Sequence, residues 1–191
     1  MNNDSLQVDY TNSRAIIIGI DKYSSLGSLS GAVNDAAEFA KILQSEFKFP
    51  ADQIHLLLDS EASQVAIRER LELVSQQAQK DDRIVFFFAG HGATRRTPNG
   101  EEIGHIAAVE SGNSQWYTFL SIDDITGYSR FIAAKHVLYI FDACFSGLAL
   151  KRGGIIGTPS ADVKRWIKDC MTHRTRQVLT AGLADQLNET N

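Results

Sequence analysis

Two residues that could carry out nucleophilic chemistry each follow a run of strand-forming residues. His91 lies in "FFFAGHGA", framed by Gly90 and Gly92, and Cys144 lies in "YIFDACFSGLA". The thiolate is the attacking form of cysteine, and a nearby imidazole can accept the thiol proton or stabilise the anion. If the two strands are parallel neighbours, both side chains lie at one edge of the sheet. The pattern predicts a Cys-His dyad for acyl transfer.

Other roles stay open for the cysteines. A cysteine after an apolar strand is, taken alone, more often a small buried hydrophobic residue. His91 in its glycine frame favours the nucleophile for Cys144, whereas Cys170 in "KDCMTHR" has no glycine turn and is expected to be structural. Backbone N–H groups at Gly92 and Cys144 could point at a developing oxyanion. No histidine is paired at metal-ligand spacing with a cysteine or another histidine, which argues against zinc.

The elements that position these residues are short apolar runs, rich in branched and aromatic side chains, that predict strands buried on both faces. Apolar residues at helical spacing between them predict helices that cover the sheet. The alternation favours an α/β fold with a mainly parallel sheet flanked by helices on both faces. The predicted strands are residues 14–20, 53–58, 83–89, 136–142 and 176–182, and the helical stripes are Ala32, Ala36, Phe39 and Leu43, then Ile67, Leu71, Val74 and Ala78, with a further helix around 163–168.

Two glycine-rich segments, residues 90–104 and 147–157, are expected to be loops. Both follow the carboxyl ends of strands, where open α/β sheets bind their ligands. The chain is expected to form one domain over residues 14–191 after an N-terminal tail of residues 1–13.

Composition excludes several classes of protein. The 191 residues are 43% hydrophobic and 22% charged, as in a folded globular domain, and the net charge of -4 provides no basic field for nucleic acid. No apolar stretch approaches the roughly 20 residues that cross a bilayer, and no signal-like segment begins the chain, so we expect no membrane partner and a cytoplasmic location.

Two other classes of α/β protein lack their motifs here. Phosphate-binding glycine motifs, which a nucleotide-binding domain needs, and the G-x-S-x-G of serine hydrolases are absent. Two cysteines are too few for a disulfide framework, although one disulfide stays open.

Four motifs together resemble the large-subunit (p20) part of caspase-like cysteine peptidases, most closely their microbial, metacaspase-like branch. They are "AIIIGIDKY", "LSGAVNDA", "FFFAGHG" and "DACFSG". A histidine about 50 residues before the cysteine is the caspase-type arrangement, but the animal block Q-A-C-[RQG]-G is absent. "DACFSG" is similar to the D-x-C-x-S-G of metacaspases, which cleave after Arg or Lys. The resemblance implies a cysteine endopeptidase acting on protein or peptide substrates.

The resemblance also implies a pocket for a basic substrate side chain. Its acidic residues would be Asp142, two positions before Cys144, and Asp35 in the "ND" of the first helix. A carboxylate in a partly closed pocket favours a guanidinium or ammonium partner. Two simpler roles stay open: Asp35 could favour the first turn of its helix, and Asp142 could accept hydrogen bonds in the loop.

Calcium and a small subunit are two further properties of the resembled family. "SIDDI" resembles part of a calcium site at Asp123 and Asp124, but calcium needs six to eight oxygen ligands and the clear candidates are too few, so no cofactor is expected. The same pair could start a short helix.

A small (p10) subunit segment, with a further strand and helices, is expected after "LTAGLADQ" as a C-terminal remainder or a separate partner. A catalytically silent or partner-dependent scaffold is the alternative function.

Overall fold

A parallel sheet forms the centre of the molecule. The structure, a computed structural model, describes residues 8–113, 115–145 and 171–180. The central strands are β1 (Ser13–Gly19), β2 (Ile54–Leu58), β3 (Arg83–Ala89), β7 (His136–Asp142) and β8 (Thr175–Thr180). All neighbours pair in parallel, in the order β2-β1-β3-β7-β8. Each predicted strand is thus present, with its ends shifted by no more than two residues.

Helices cover both faces of this sheet, as predicted. Helix α1 (Ala32–Ser45) packs on one face, and α2 (Gln64–Gln77) and the short α3 (Ile122–Gly127) pack on the other. The first face buries Ala36 and Leu43 of α1, and the second buries Leu71 of α2 and Ile125 of α3. The structure therefore confirms the α/β fold.

Burial on both faces explains why the strands are continuously apolar. In β1, Ile16 and Ile18 join the core under α2, whereas Ala15 and Ile17 join the core under α1. Side chains alternate between the faces of a strand, so a strand that is covered twice needs an apolar residue at every position.

The prediction of a loop over residues 90–104 is wrong for most of the segment. It contains β4 (Gly92–Arg96), which pairs antiparallel with β5 (Glu102–Ala107), and β5 pairs with β6 (Phe119–Ser121). These three strands form a second small sheet between β3 and β7 in chain order.

The turn of this hairpin carries a sequence signal that the loop prediction did not use. "TPNGE" reverses the chain with Gly100 at a φ of 83°, a left-handed conformation that glycine adopts without strain. The Thr97 N–H donates to the Glu101 carbonyl at 2.8 Å. "TRR", residues 94–96 of the segment expected to be a loop, is part of β4: Arg96 pairs with Glu102, and the Arg95 guanidinium lies 5.5 Å from the Trp116 ring centre.

Several expectations lie outside the described residues. These are the helix around 163–168, the loop at 147–157 and the structural role of Cys170. Within the residues that are described, none of the helices is long and apolar enough to cross a membrane.

Candidate active site

The pairing of β3 with β7 brings His91 and Cys144 to the same edge of the sheet. The parallel register aligns Ala89 with Asp142, and His91 and Cys144 each come two residues later. Beyond the strands, the Gly90 N–H donates to the Asp142 carbonyl at 3.2 Å. The two strands are therefore neighbours, as predicted. His91 and Cys144 lie at the same distance beyond the aligned ends of these strands.

The segment around Cys144 keeps the alternation of a strand after β7 has ended. Phe141, Ala143 and Phe145 are buried, whereas Asp142 and Cys144 are exposed. Alternate residues point to opposite sides of an extended chain, so Asp142 and Cys144 share the exposed side. Cys144 is a free thiol. The simpler role as a buried hydrophobic residue therefore does not apply to Cys144.

Gly92 allows the loops of His91 and Cys144 to pack against each other. A Cβ at position 92 would lie 2.8 Å from Cε1 of Phe145 and 3.1 Å from the Cβ of Ala143. Both distances are at or below the closest contacts that Cβ atoms normally make. A side chain at position 92 would therefore force the Phe145 ring or the loop to shift, whereas glycine lets the two segments approach closely.

The main-chain N–H of Gly92 points away from β5. The Ala107 N–H donates to the His91 carbonyl at 2.9 Å, which makes Gly92 and Ile106 a pair that does not exchange hydrogen bonds. In the antiparallel pattern, the N–H of such a residue faces away from its partner strand. The Gly92 N–H is therefore not used in the β4–β5 ladder, which is what an oxyanion donor requires.

The His91 imidazole is oriented by a main-chain carbonyl. Its Nε2 lies 2.7 Å from the carbonyl oxygen of Gly27, in the loop between β1 and α1. A carbonyl can only accept, so Nε2 carries a hydrogen and, in the neutral ring, Nδ1 holds the lone pair. The basic nitrogen available for proton transfer is thus Nδ1.

The loop between β1 and α1 is itself held by two aspartates. Oδ1 of Asp59 accepts the N–H groups of Asp21 at 2.8 Å and Lys22 at 2.9 Å. The Asp21 carboxylate in turn accepts the N–H of Ala32 at 2.9 Å, at the start of α1. Asp59 has a φ of 46°, which costs energy for a residue other than glycine.

No site role was predicted for this loop. "AIIIGIDKY" contributed only as one of the four motifs of the resemblance, although polar residues at the carboxyl end of a parallel strand are a signal for a site. The loop nevertheless contacts His91 directly, through Tyr23 and Gly27.

One cavity of about 240 Å³ collects the four side chains predicted for the site. Asp35 reaches it from the first turn of α1, where its N–H donates to the Gly31 carbonyl at 2.8 Å, and its side chain is exposed. Asp35 thus occupies a favourable helix position and also faces the cavity. The lining residues are Leu29, Ser30, Ala32, Asp35, Ala89, Gly90, His91, Gly92, Asp142, Ala143 and Cys144.

Asp123 and Asp124 lie apart from this cavity, at the start of α3. Ser121 caps the helix by accepting the Asp124 N–H at 3.0 Å, and the Asp124 carboxylate lies 3.7 Å from the Arg68 guanidinium. These contacts match the alternative in which the pair starts a short helix. In residues 8–113, 115–145 and 171–180, no three His, Cys, Asp or Glu side chains are grouped to hold a metal ion.

Known proteins share both the sequence pattern and the fold. The chain is 34% identical to Metacaspase-1 of Arabidopsis thaliana over 96 residues, which is 47% of this chain and 26% of that protein. It is 23% identical to Metacaspase-1 of Schizosaccharomyces pombe over 146 residues, which is 72% of this chain and 34% of that protein. The match thus spans between a quarter and about a third of the length of these relatives.

Solved structures share the fold at low sequence identity. Protein GSU0716 from Geobacter sulfurreducens superposes with a TM-score of 0.59 at 20% identity, over 73% of this chain and 53% of that one. Caspase-1 from Spodoptera frugiperda superposes with a TM-score of 0.53 at 15% identity, over 80% of this chain and 57% of that one. The family model described as "Metacaspase, peptidase C14 domain" matches residues 13–152. The chain therefore belongs to the metacaspase family of peptidase C14 domains.

Proposed function

We propose that the chain supplies the nucleophile and base of a cysteine endopeptidase that cleaves after Arg or Lys. The observation that carries the proposal is the cavity that His91, Cys144, Asp35 and Asp142 line together. Its residues come from the carboxyl ends of β3 and β7 and the start of α1. This is the edge at which open α/β sheets bind substrates.

Acylation begins when Nδ1 of His91 accepts the proton of the Cys144 thiol. The thiolate sulfur attacks the carbonyl carbon of the scissile peptide bond, and the carbonyl π electrons move to oxygen. The N–H groups of Gly92 and Cys144 stabilise that oxyanion. Collapse of the tetrahedral intermediate breaks the C–N bond, and the His91 imidazolium donates its proton to the leaving amine. The product of this half-reaction is a thioester on Cys144.

Deacylation repeats these steps with water as the nucleophile. His91 removes a proton from a water molecule that attacks the thioester carbonyl. The C–S bond then breaks, the proton on His91 restores the thiol, and the peptide leaves as a carboxylic acid, which gives its proton to the solvent. The Gly27 carbonyl holds the Nε2 hydrogen throughout both steps, so the ring need not rotate.

Asp35 and Asp142 supply the specificity in this proposal. Both carboxylates are exposed to the cavity that contains the nucleophile. A substrate guanidinium can form charged hydrogen bonds with both through its planar fork, whereas an ammonium offers a compact point charge. Arg should therefore be preferred over Lys, and Asp excluded by repulsion.

The test is hydrolysis of fluorogenic peptides that differ only in having Arg, Lys or Asp at the cleaved position, with and without calcium. The expected result is hydrolysis of the Arg peptide by the wild type, and none by Cys144→Ala or His91→Ala. The effects of the two changes should not add, because the two groups act as one unit. Circular dichroism of each variant checks the fold. A variant that keeps its activity without Cys144 would overturn the proposal.

The alternative is a catalytically silent or partner-dependent module. His91 and Cys144, which a silent module has no need to keep, both line the cavity. Absence of hydrolysis together with slow alkylation of Cys144 would favour the silent module. Fast alkylation of Cys144 without hydrolysis would favour an active dyad that depends on a partner.

We also propose that a small-subunit segment covers an apolar face of the sheet beside α1. Ile140 of β7 pairs with Leu179 of β8, whose side chain is 55% exposed. A cavity of about 560 Å³ has a mostly apolar lining that includes Phe39, Leu138 and Ile140. A contiguous exposed apolar area marks an interaction surface.

An apolar dye tests whether this face is available. 1-Anilinonaphthalene-8-sulfonate should bind the 191-residue chain, and Leu179→Ser should weaken the binding. Val65→Ser is the matched control, because Val65 is 63% exposed on α2 at the opposite face of the sheet. Equal binding by wild type and Leu179→Ser would argue against this docking face.

A further inference from the structure

Tyr23 makes two contacts with His91. Its hydroxyl oxygen accepts the main-chain N–H of His91 at 2.8 Å, across 68 positions of sequence. Its ring centre lies 4.9 Å from that of the imidazole, with an angle of 46° between the rings. Tyr23 therefore touches both the main chain and the side chain of the proposed base.

The space for this contact exists because residue 90 is a glycine. A Cβ at Gly90 would collide with the Tyr23 hydroxyl and lie 2.9 Å from Cζ of Phe88. Phe88 is fully buried, and the Tyr23 ring packs against the same core. The position of the hydroxyl is thus set by the packing of the Tyr23 ring on the core and by the main chain at Gly90.

The hydrogen bond fixes the part of the chain on which the imidazole depends. The His91 N–H lies beyond the end of β3, where the sheet no longer provides a parallel neighbour for it. A main-chain donor in a partly buried position needs an acceptor, or its loop must shift to find water. Any such shift would move the imidazole relative to both the Gly27 carbonyl and Cys144.

We propose that Tyr23 is a positioning residue for the reaction, holding His91 through its hydroxyl so that Nδ1 faces Cys144. The proposal rests on the dyad described under "Proposed function". It assigns to the β1–α1 loop two separate tasks: Tyr23 holds the main chain of His91, and Gly27 holds its ring. Asp59 supports both tasks by anchoring Asp21 and Lys22 in the same loop.

Burial raises the pKa of Tyr23, and the nearby carboxylates of Asp21 and Asp59 raise it further, against the lowering effect of the His91 N–H. The hydroxyl therefore stays neutral at every pH at which a Cys-His dyad works. A difference in pH profile between wild type and Tyr23→Phe therefore cannot come from titration of the phenol.

Tyr23→Phe removes the hydroxyl and keeps the ring. Tyr139→Phe is the matched control, because the Tyr139 hydroxyl also makes a 2.8 Å hydrogen bond, to Ser129, and its ring lies in the same core. The measurement is the rate of Cys144 alkylation by iodoacetamide as a function of pH, in wild type, both Tyr variants and His91→Ala. It needs no substrate and uses the chain as it exists.

In wild type, we expect Cys144 to be alkylated rapidly near neutral pH, and in His91→Ala much more slowly. Tyr23→Phe should lower the rate near pH 6.5 by about 3- to 10-fold, the value of one hydrogen bond, and move the profile toward that of His91→Ala. Tyr139→Phe should follow the wild type. In addition, the ¹H–¹⁵N signal of the His91 amide should move upfield in Tyr23→Phe alone.

A Tyr23→Phe profile that coincides with the wild type, while His91→Ala is shifted, would overturn the positioning role and leave the dyad intact. A His91→Ala profile that coincides with the wild type would overturn the dyad, and with it any role of Tyr23 in catalysis. In either case, the shift of the His91 amide signal shows whether the hydrogen bond from the His91 N–H to Tyr23 is present in solution.

Discussion

The imidazole of His91 is bound through Nε2 to the main-chain carbonyl of Gly27, at 2.7 Å. This single contact selects the tautomer, because a carbonyl oxygen cannot donate a hydrogen bond. It therefore decides which ring nitrogen keeps a lone pair, and the proposed dyad requires that lone pair to accept the thiol proton. The acceptor belongs to the loop after β1, a strand that pairs with β3 on the side opposite to β7.

The first prediction is that neutral His91 carries its hydrogen on Nε2. Its ¹⁵N imidazole shifts, measured at alkaline pH, should show a protonated Nε2 and an unprotonated Nδ1. The other histidines of the chain serve as internal references. The opposite tautomer would mean that Gly27 does not hold the ring in solution.

The second prediction is that Cys144 is alkylated before Cys170. Cys144 is exposed and lines the same cavity as His91, and the proposed dyad would make it the more reactive thiol. Mass mapping after brief treatment with iodoacetamide should find the label on Cys144. Preferential labelling of Cys170 would count against the dyad.

The third prediction concerns the charge of Asp142. Asp142→Asn keeps the shape of the side chain and removes the charge, so it should cost about 1.5–3 kcal/mol, or about 10- to 150-fold in kcat/KM, with Arg peptides. Peptides with a neutral residue at the cleaved position should hardly change. The measurement is kcat/KM for paired peptides.

Asp52→Asn is the control for this change. Asp52 is exposed just before β2, at the amino ends of the strands, and so away from the cavity. If Asp142→Asn slows Arg and neutral peptides equally, Asp142 supports the Cys144 loop and does not bind the substrate side chain.

The fourth prediction is that Gly92→Ala disrupts the contact between the two loops. The added Cβ would meet the Phe145 ring at 2.8 Å, and the overpacking should cost about 1–3 kcal/mol of the free energy of unfolding. Alkylation of Cys144 should slow as its loop is displaced. Urea titration and iodoacetamide kinetics measure the two effects.

Gly127→Ala is the control for an added methyl group. It lies in α3, and a Cβ there would meet nothing within 4 Å. Alanine at this position should be neutral or stabilise the chain by up to about 1 kcal/mol. Equal effects of the two substitutions would mean that Gly92 does not hold the loops together.

The fifth prediction is a dependence of stability on pH that arises from His55. Burial, and then the charges of Arg70 and Arg14, lower the pKa of His55 in the folded chain. Below the unfolded pKa of about 6.5, the unfolded chain binds more protons, so the free energy of unfolding falls as the pH drops through this range. His55→Gln should reduce the difference in urea stability between pH 7.5 and pH 5.5. An unchanged difference would assign the effect to other groups.

The sequence by itself determined the type and order of the main elements and the positions of the two reactive residues. The predicted strands at 14–20 and 83–89 contain unbroken apolar stretches, at 15–18 and 84–89, because helices cover both faces of the sheet, and that requirement is visible without coordinates. His91 and Cys144 could be paired because each directly follows such a run. The hairpin at 90–104 was missed although "PNG" is a local turn signal.

Only the tertiary structure decided what holds His91. Tyr23 and Gly27 are 68 and 64 positions away, and nothing in their local sequence specifies a partner. They meet His91 because β1 and β3 are parallel neighbours, so the loops that follow both strands leave the sheet at the same edge. Contacts of this kind depend on strand order and register, which arise from the packing of the whole sheet and carry no periodic signal in the chain.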